Sequence, residues 1–150
     1  MDIKNPFDLE GRKVVVMGAL DERSIGTGIA RTLGQLGANV ILTAANAKLL
    51  KRVQVIADEV CPHREPQVCD VGDSDSMDDF FGWLSEQGPI DGLVHSIAFA
   101  NKGELRGPHT ASSTLDGFLT AMHISAYSFK DCAQRVQPLM PNGGSLVALT

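Results

Sequence analysis

The sequence has no excess of positive charge: 13 Lys and Arg stand against 18 Asp and Glu, for a formal net charge of -5. Nucleic-acid binders draw most of their affinity from cations set against phosphates, and no basic run here forms an arm or a patch, so that class is excluded. The opening MDIKNPFDLEGRK lacks the apolar centre of a secretory signal. No apolar stretch approaches the ~20 residues of a membrane span. A soluble, cytoplasmic protein is expected. Cysteine is scarce, with Cys61, Cys69 and Cys132 making up the 3 present. An odd number at these spacings builds no disulfide framework. Cys61, His63, Cys69 and Asp70 invite a metal reading, but the spacing fits no common zinc pattern. Buried or incidental thiols are the default, and no metal site is expected. No linker, repeat or low-complexity segment divides the chain. Residues 1–150 therefore read as a single domain with apolar content enough for a core.

What is present is an alternation. Residues 13–18, KVVVMG, form a short apolar run of the kind buried on both faces of a sheet. From 24 to 36, Ile25, Ile29, Leu33 and Leu36 recur at helical spacing with Ala30 on the same stripe, and Gly37 follows at the C-terminal end. NVILT (39–43) is a second strand. A helix over 46–60 carries Leu49, Val53, Ile56, Ala57 and Val60, and Pro62 bars its continuation. A weaker strand lies within 66–71, which includes Cys69. A helix capped by Asp73 or Ser74 carries Met77, Phe80, Phe81 and Leu84, with Trp83 packing it onto the sheet. IDGLVHSIA (90–98) is the fourth strand. After a polar loop over 101–111, one long helix over about 113–136 presents Leu115, Phe118, Leu119, Met122, Ala126, Phe129, Ala133 and Val136. SLVALT (145–150) is the fifth strand.

Crossovers of this length force parallel pairing, and their right-handed sense puts helices on both faces. The expectation is an α/β fold, a Rossmann-type doubly wound parallel sheet. A chain closing on an apolar strand offers an unpaired edge, so the domain is expected to be partial, truncated after the fifth strand.

The chemistry of such sheets gathers beyond the carboxyl ends of the strands. After the first strand comes GALDERSIGTG. Gly18 lets backbone approach a pyrophosphate, and the helix opening at Ser24 and Ile25 offers free N–H groups and a partial positive charge. A plain G-x-G-x-x-G is absent, and a glycine-rich turn with Ser24 as a helix cap is the alternative. The second strand ends in Thr43-Ala44-Ala45-Asn46, with neither an acid for a ribose diol nor an Arg for a 2′-phosphate. Lys48 reads as solvated. NADH is therefore preferred as cofactor, and NADPH stays open. Asp70 and Val71 suit an adenine amino group and ring face, or a simple turn. Ser96, Ile97 and Ala98 are small enough for a nicotinamide ribose to pass, or serve strand packing.

GALDERSIG, CDV, DGLVHSIAFAN, ISAYS and LMPNGGSLVALT together resemble the NADH-type enoyl-acyl-carrier-protein reductases of bacterial fatty-acid synthesis, a divergent branch of the short-chain dehydrogenases. The resemblance runs from about Leu9 to Thr150, and HSIAFAN is its most specific piece. It implies hydride transfer from the nicotinamide to the β-carbon of a trans-2 enoyl chain on a carrier protein, with a Tyr and a Lys stabilising the enolate. Both lie after the fifth strand in that family, so no catalytic residue is expected within this chain, which alone is expected to be inactive. Tyr127, mid-helix, is expected to pack instead.

The resemblance implies Gly18, Ser24 and Ile25 on the pyrophosphate side, Ala45 near the adenosine, Asp70 and Val71 at adenine, and Ser96, Ile97 and Ala98 along the nicotinamide ribose. Phe99 and Ala100 would line the mouth where acyl substrate enters. It also implies a homo-oligomer, tetrameric in the family, formed through the long helix. Gly26 stands where the family has Ala, and His123 where it has Asp. His123 is expected to pack within its helix, His95 to be structural, and His63 and His109 to sit in surface loops. Two other readings stand beside this one: a non-catalytic dinucleotide-binding or interaction protein, and a short-chain reductase of small carbonyl compounds, against which HSIAFAN speaks.

Overall fold

Strand β1 (Lys13–Met17) is covered from both sides, which explains its unbroken apolar run. Val14 and Val16 face one core cluster, Val15 and Met17 the other, because successive side chains of a strand point to opposite faces. Burying each is worth about 1.5–3 kcal/mol relative to exposure. The computed structural model describes residues 7–149. Their sheet has five strands in the order β3-β2-β1-β4-β5, all parallel. The others are β2 (Asn39–Ala44), β3 (Gln67–Val68), β4 (Gly92–His95) and β5 (Ser145–Ala148). The chain builds outward from β1 through β2 to β3, then returns to place β4 on the other side of β1. That reversal lies between β1 and β4.

Helices α1 (Ile25–Gln35) and α2 (Ala47–Val60) cover one face through Ala30, Val53, Ile56 and Ala57. On the other face α3 (Ser74–Ser85) contributes Met77, Phe80, Phe81 and Leu84. Trp83 is half-buried and stacks on Phe80. Asn46 and Asp73 cap α2 and α3 by accepting from Leu49 N and Asp75 N. At the foot of the sheet Asp91 accepts from Lys13 N at 2.9 Å and Arg12 Nη1 at 2.7 Å. Those bonds hold its carboxyl below the usual range, the Lys13 amide foremost.

Several expectations need correction. Ile25 is 67% exposed, so the buried stripe of α1 is Gly26, Thr27 and Ala30. Strand three shrinks to Gln67–Val68, a sheet edge with Val68 largely open to solvent. Cys69 lies just past it. β4 stops at His95 because its neighbour β1 stops at Met17, after which Ser96 N bonds to the Met17 carbonyl and the chain leaves the sheet. A one-turn helix α4 (His109–Ser112) interrupts the polar loop.

The long helix runs without a gap but is not α-helical throughout. It runs as α5 (Leu115–Met122), a π-helical turn (His123–Tyr127) and α6 (Ser128–Val136). A π turn adds a residue to the helical circuit and swings the face that follows. Ser128, Cys132 and Val136 are buried, while Leu115, Phe118, Leu119 and Met122 of the preceding turns face outward. Tyr127 is likewise exposed rather than packed, with the ring of His123 beside it and Lys130 Nζ 5.5 Å from its own ring. His123 is also exposed and does not pack the helix. His63 and His109 are exposed too, His109 within α4. The last residue of the expected fifth strand, Thr150, lies outside the described residues, as does the start of the N-terminus.

Candidate functional site

The carboxyl ends of β1, β2, β3 and β4 surround a cleft of about 360 Å³. Gly18, Ala45, Asp70, Val71, Ser96, Ile97, Ala98 and Phe99 all line it, although they come from four separate stretches of chain. Ser24, Ile25 and Ala100 are not on its wall. A larger groove of about 550 Å³ runs along the α1 face near the amino ends of β4 and β5, between Ile29, Leu33, Val94 and Val147. It is mainly apolar and lies away from the strand ends where chemistry gathers in this architecture.

Gly18 sets the shape of the cleft floor. Its φ is +91°, and a Cβ there would stand 1.9 Å from the Ser96 carbonyl oxygen. Only glycine allows both this left-handed backbone and so near a neighbouring strand end. Gly26, at the start of α1, is much less confined: a Cβ would meet Ala19 N and the Gly18 carbonyl carbon at 3.2 Å.

The turn from β1 to α1 is tied down by Asp21. Its Oδ1 accepts from Arg23 N at 3.0 Å and lies 3.2 Å from Ser24 Oγ, and Arg52 pairs with its other oxygen at 3.1 Å. The Arg23 amide, followed by Ser24 and Arg52, holds this carboxyl below its ordinary range. Ser24 occupies the helix-cap position but makes no side-chain cap bond. Ser24 N donates to the Asp21 carbonyl at 3.1 Å and Thr27 N to the Ser24 carbonyl at 3.0 Å, so the amides of Ile25 and Gly26 are the ones left as the free donors that helix starts carry. Ile25 turns its side chain to solvent and can contribute only backbone there.

Asp70 does what its turn reading describes: Oδ1 accepts from Gly72 N at 2.9 Å. It nonetheless lines the cleft, so the two readings coexist. Lys48 is exposed, and Asn46 spends its side chain on the α2 cap. Thus the end of β2 carries no charged group on the cleft wall.

Sequence reasoning missed Leu20, Leu49 and Ile124 on the wall. Ile124 belongs to the π turn, far along the chain, and reaches the Asp70–Gly72 turn, where a Cβ on Gly72 would lie 3.8 Å from it. No spacing rule applied to strand ends would find it.

His95 is fully buried at the last position of β4. Its Nε2 lies 2.7 Å from Ser128 Oγ, whose proton goes to the Ile124 carbonyl at 2.6 Å. Nε2 therefore carries the hydrogen, and Nδ1 is left buried without a partner. Burial pushes this imidazole below its ordinary pKa. Two of the three thiols are withdrawn from chemistry by burial, which raises Cys69 and pushes Cys132 up to about 12. Among the described residues no three His, Cys, Asp or Glu converge as a metal group. No helix among them is long and apolar enough to cross a membrane.

A parallel sheet with helices on both faces, and a cleft at the strand-order reversal between β1 and β4, defines a Rossmann-type α/β domain. The family model for "Enoyl-(Acyl carrier protein) reductase" matches residues 18–150, and the chain belongs to that family. It is 43% identical over 148 residues to the NADH enoyl-acyl-carrier-protein reductase FabI of Bacillus subtilis, covering 96% of this chain and 56% of that protein. It is 37% identical to the NADPH enzyme FabI of Staphylococcus aureus, over 96% of this chain and 57% of the relative. A crystal structure of the reductase from Anaplasma phagocytophilum in complex with NAD superposes with a TM-score of 0.88 at 40% identity, covering 95% of this chain and 54% of that one. The chain thus spans about half the length of the relatives it matches.

Proposed function

We propose that this chain is the dinucleotide-binding part of an enoyl-acyl-carrier-protein reductase, and that its cleft holds NADH, with NADPH as the alternative. The observation that carries the reading is a helix start at the strand ends whose Ile25 and Gly26 amides have no side-chain cap, beside the point where Gly18 lets the ends of β1 and β4 pack closely. Such a helix start takes a diphosphate because its free amides donate toward negative charge.

On this reading the Ile25 amide and the Ser24 side chain meet the pyrophosphate, with Gly18 beside it. Ser24 Oγ would turn from Asp21 to donate to a phosphate oxygen, and Arg52 keeps the Asp21 carboxylate from repelling that phosphate. Ala45 borders the adenosine. Asp70 accepts from the adenine amino group with the oxygen not used in its turn, and Val71 covers the ring. Ser96, Ile97 and Ala98 follow the nicotinamide ribose, while Phe99 and Ala100 border the entry of an enoyl thioester held on its carrier protein. The bound nicotinamide supplies the hydride; the chain's own residues bind and orient it.

The chain's single tyrosine, Tyr127, is not on the cleft wall. Asp70, the one carboxyl on that wall, is assigned here to adenine, which leaves no group to stabilise the developing enolate, and these 150 residues are expected to bind the cofactor without turning substrate over. The reaction is expected in the cytoplasm, where three free cysteines stay reduced. The outward apolar row Leu115, Phe118, Leu119 and Met122 supports homo-oligomer formation, to a tetramer, through α5. Calorimetric titration with NADH and NADPH tests the central claim. Saturable one-site binding of either supports it; no heat and no fluorescence change with a folded chain would sink it.

A further inference from the structure

We infer that His95 and Ser128 form a positioning pair: they pin the π turn, through which Ser125 latches the loop over 96–100 at the nicotinamide end of the cleft. The inference rests on the dinucleotide reading above and names residues outside the cofactor contacts assigned there.

Three observations meet at the π turn. Ser125 Oγ accepts from Phe99 N at 3.1 Å and lies 3.4 Å from the Phe99 carbonyl, so one hydroxyl brackets the loop's backbone. The π turn itself is held from behind by the relay from His95 Nε2 to Ser128 Oγ to the Ile124 carbonyl. Ser125 sits between the two ends of that relay in sequence. Where the turn sits therefore decides where Phe99 sits.

The third observation is a cost. His95 Nδ1 is buried with no partner, in a site where Phe129 lies edge-on to the ring at 5.7 Å. An apolar side chain would avoid that penalty. A buried polar group kept at an energetic loss, next to Ser96, matches a residue retained for its donor rather than for its packing. Single-turn π segments also gather at functional sites.

The test uses the 150-residue chain with NADH and with ADP, which lacks the nicotinamide half. Ser125→Ala is expected to weaken NADH roughly five- to tenfold, the range of one hydrogen bond. It should leave ADP affinity unchanged and return the fluorescence of bound NADH toward that of free NADH. His95→Phe is expected to weaken NADH comparably, and His95→Gln, whose amide keeps a donor at the same reach, to restore it. The double variant His95→Phe/Ser125→Ala should bind no worse than the poorer single, since both act through one turn. Unchanged NADH affinity in Ser125→Ala, an equal loss for ADP, or fully additive losses would overturn the inference. Should His95→Phe fail to fold, Ser125→Ala decides alone, because it removes only an oxygen from a half-buried position. A wild-type chain that binds neither ligand defeats the dinucleotide reading itself, and that result is distinct from binding that the variants leave untouched.

Discussion

Gly18 and Ser96 touch across the end of the sheet: a single methylene on Gly18 would lie 1.9 Å from the Ser96 carbonyl oxygen. Because that oxygen belongs to backbone, no side-chain rotation can relieve the clash. Gly18→Ala must strain a φ of +91° and also part the ends of β1 and β4. A loss of at least about 2 kcal/mol is expected, from a left-handed non-glycine residue plus displaced backbone. Urea denaturation followed by circular dichroism measures it. A variant as stable as wild type would mean the two strand ends are not held together.

Ser24 and Asn46 both precede helices at the cleft, yet substitution should separate them. Asn46 caps α2 and Ser24 makes no such bond to α1. Asn46→Ala is expected to cost about 1 kcal/mol of stability. Ser24→Ala should cost less than that, while weakening NADH about tenfold or more, since a hydrogen bond to a charged group is worth roughly 1.5–3 kcal/mol. Thermal melts and calorimetry on the same two proteins check both halves.

Burial lowers the pKa of His95 in the fold. The unfolded chain therefore takes up this proton first, at about pH 6.5. Stability contributed by the neutral imidazole is present above that pH and is lost as pH falls below it, by at most about 1.4 kcal/mol per pH unit. The melting temperature should drop between pH 7 and pH 5 in wild type and drop less in His95→Gln. Identical slopes would show that the ring is protonated without penalty. The lowered carboxyls of Asp21 and Asp91, and that of Glu59, held down by its hydrogen bond from Arg31, act in a separate window, weakening the fold only as pH falls through about 4.

Leu115, Phe118, Leu119 and Met122 stand three and four residues apart, so they form one outward row on α5. Leu119→Asp places a charge in the middle of that row. Sedimentation velocity should show the wild-type chain associating with concentration and the variant shifted to a smaller species, with the melting curve little changed because Leu119 is exposed in the isolated chain. A wild type that stays monomeric at high concentration would remove the basis for a homo-oligomer.

The amino-acid order by itself determined the alternation of strands and helices, the parallel sheet and the strand ends that form the cleft. These follow from local rules. Runs such as KVVVM and NVILTA suit burial on both faces, Pro62 and Gly37 stop helices, and crossovers of this length permit only parallel neighbours. For the same reason Gly18, Asp70 and Ser96 were legible as site candidates, since each lies within two residues of a strand's carboxyl end, and strand ends converge in this topology.

Only the tertiary structure decided which way the later helices face. Helical periodicity assumes an unbroken repeat, and the π turn at His123–Tyr127 breaks it. Leu119 and Ser128, nine residues apart, stand on about opposite sides of a regular helix, and packing alone turned Ser128 to the sheet and Leu119 outward; it also leaves Tyr127 exposed and brings Ile124 of the π turn to the wall of a cleft formed by residues far earlier in the chain. The same holds for His95. Its place on a strand can be read from the sequence, but its partner Ser128, 33 residues away, is brought to it only by the packing of α6 against the sheet.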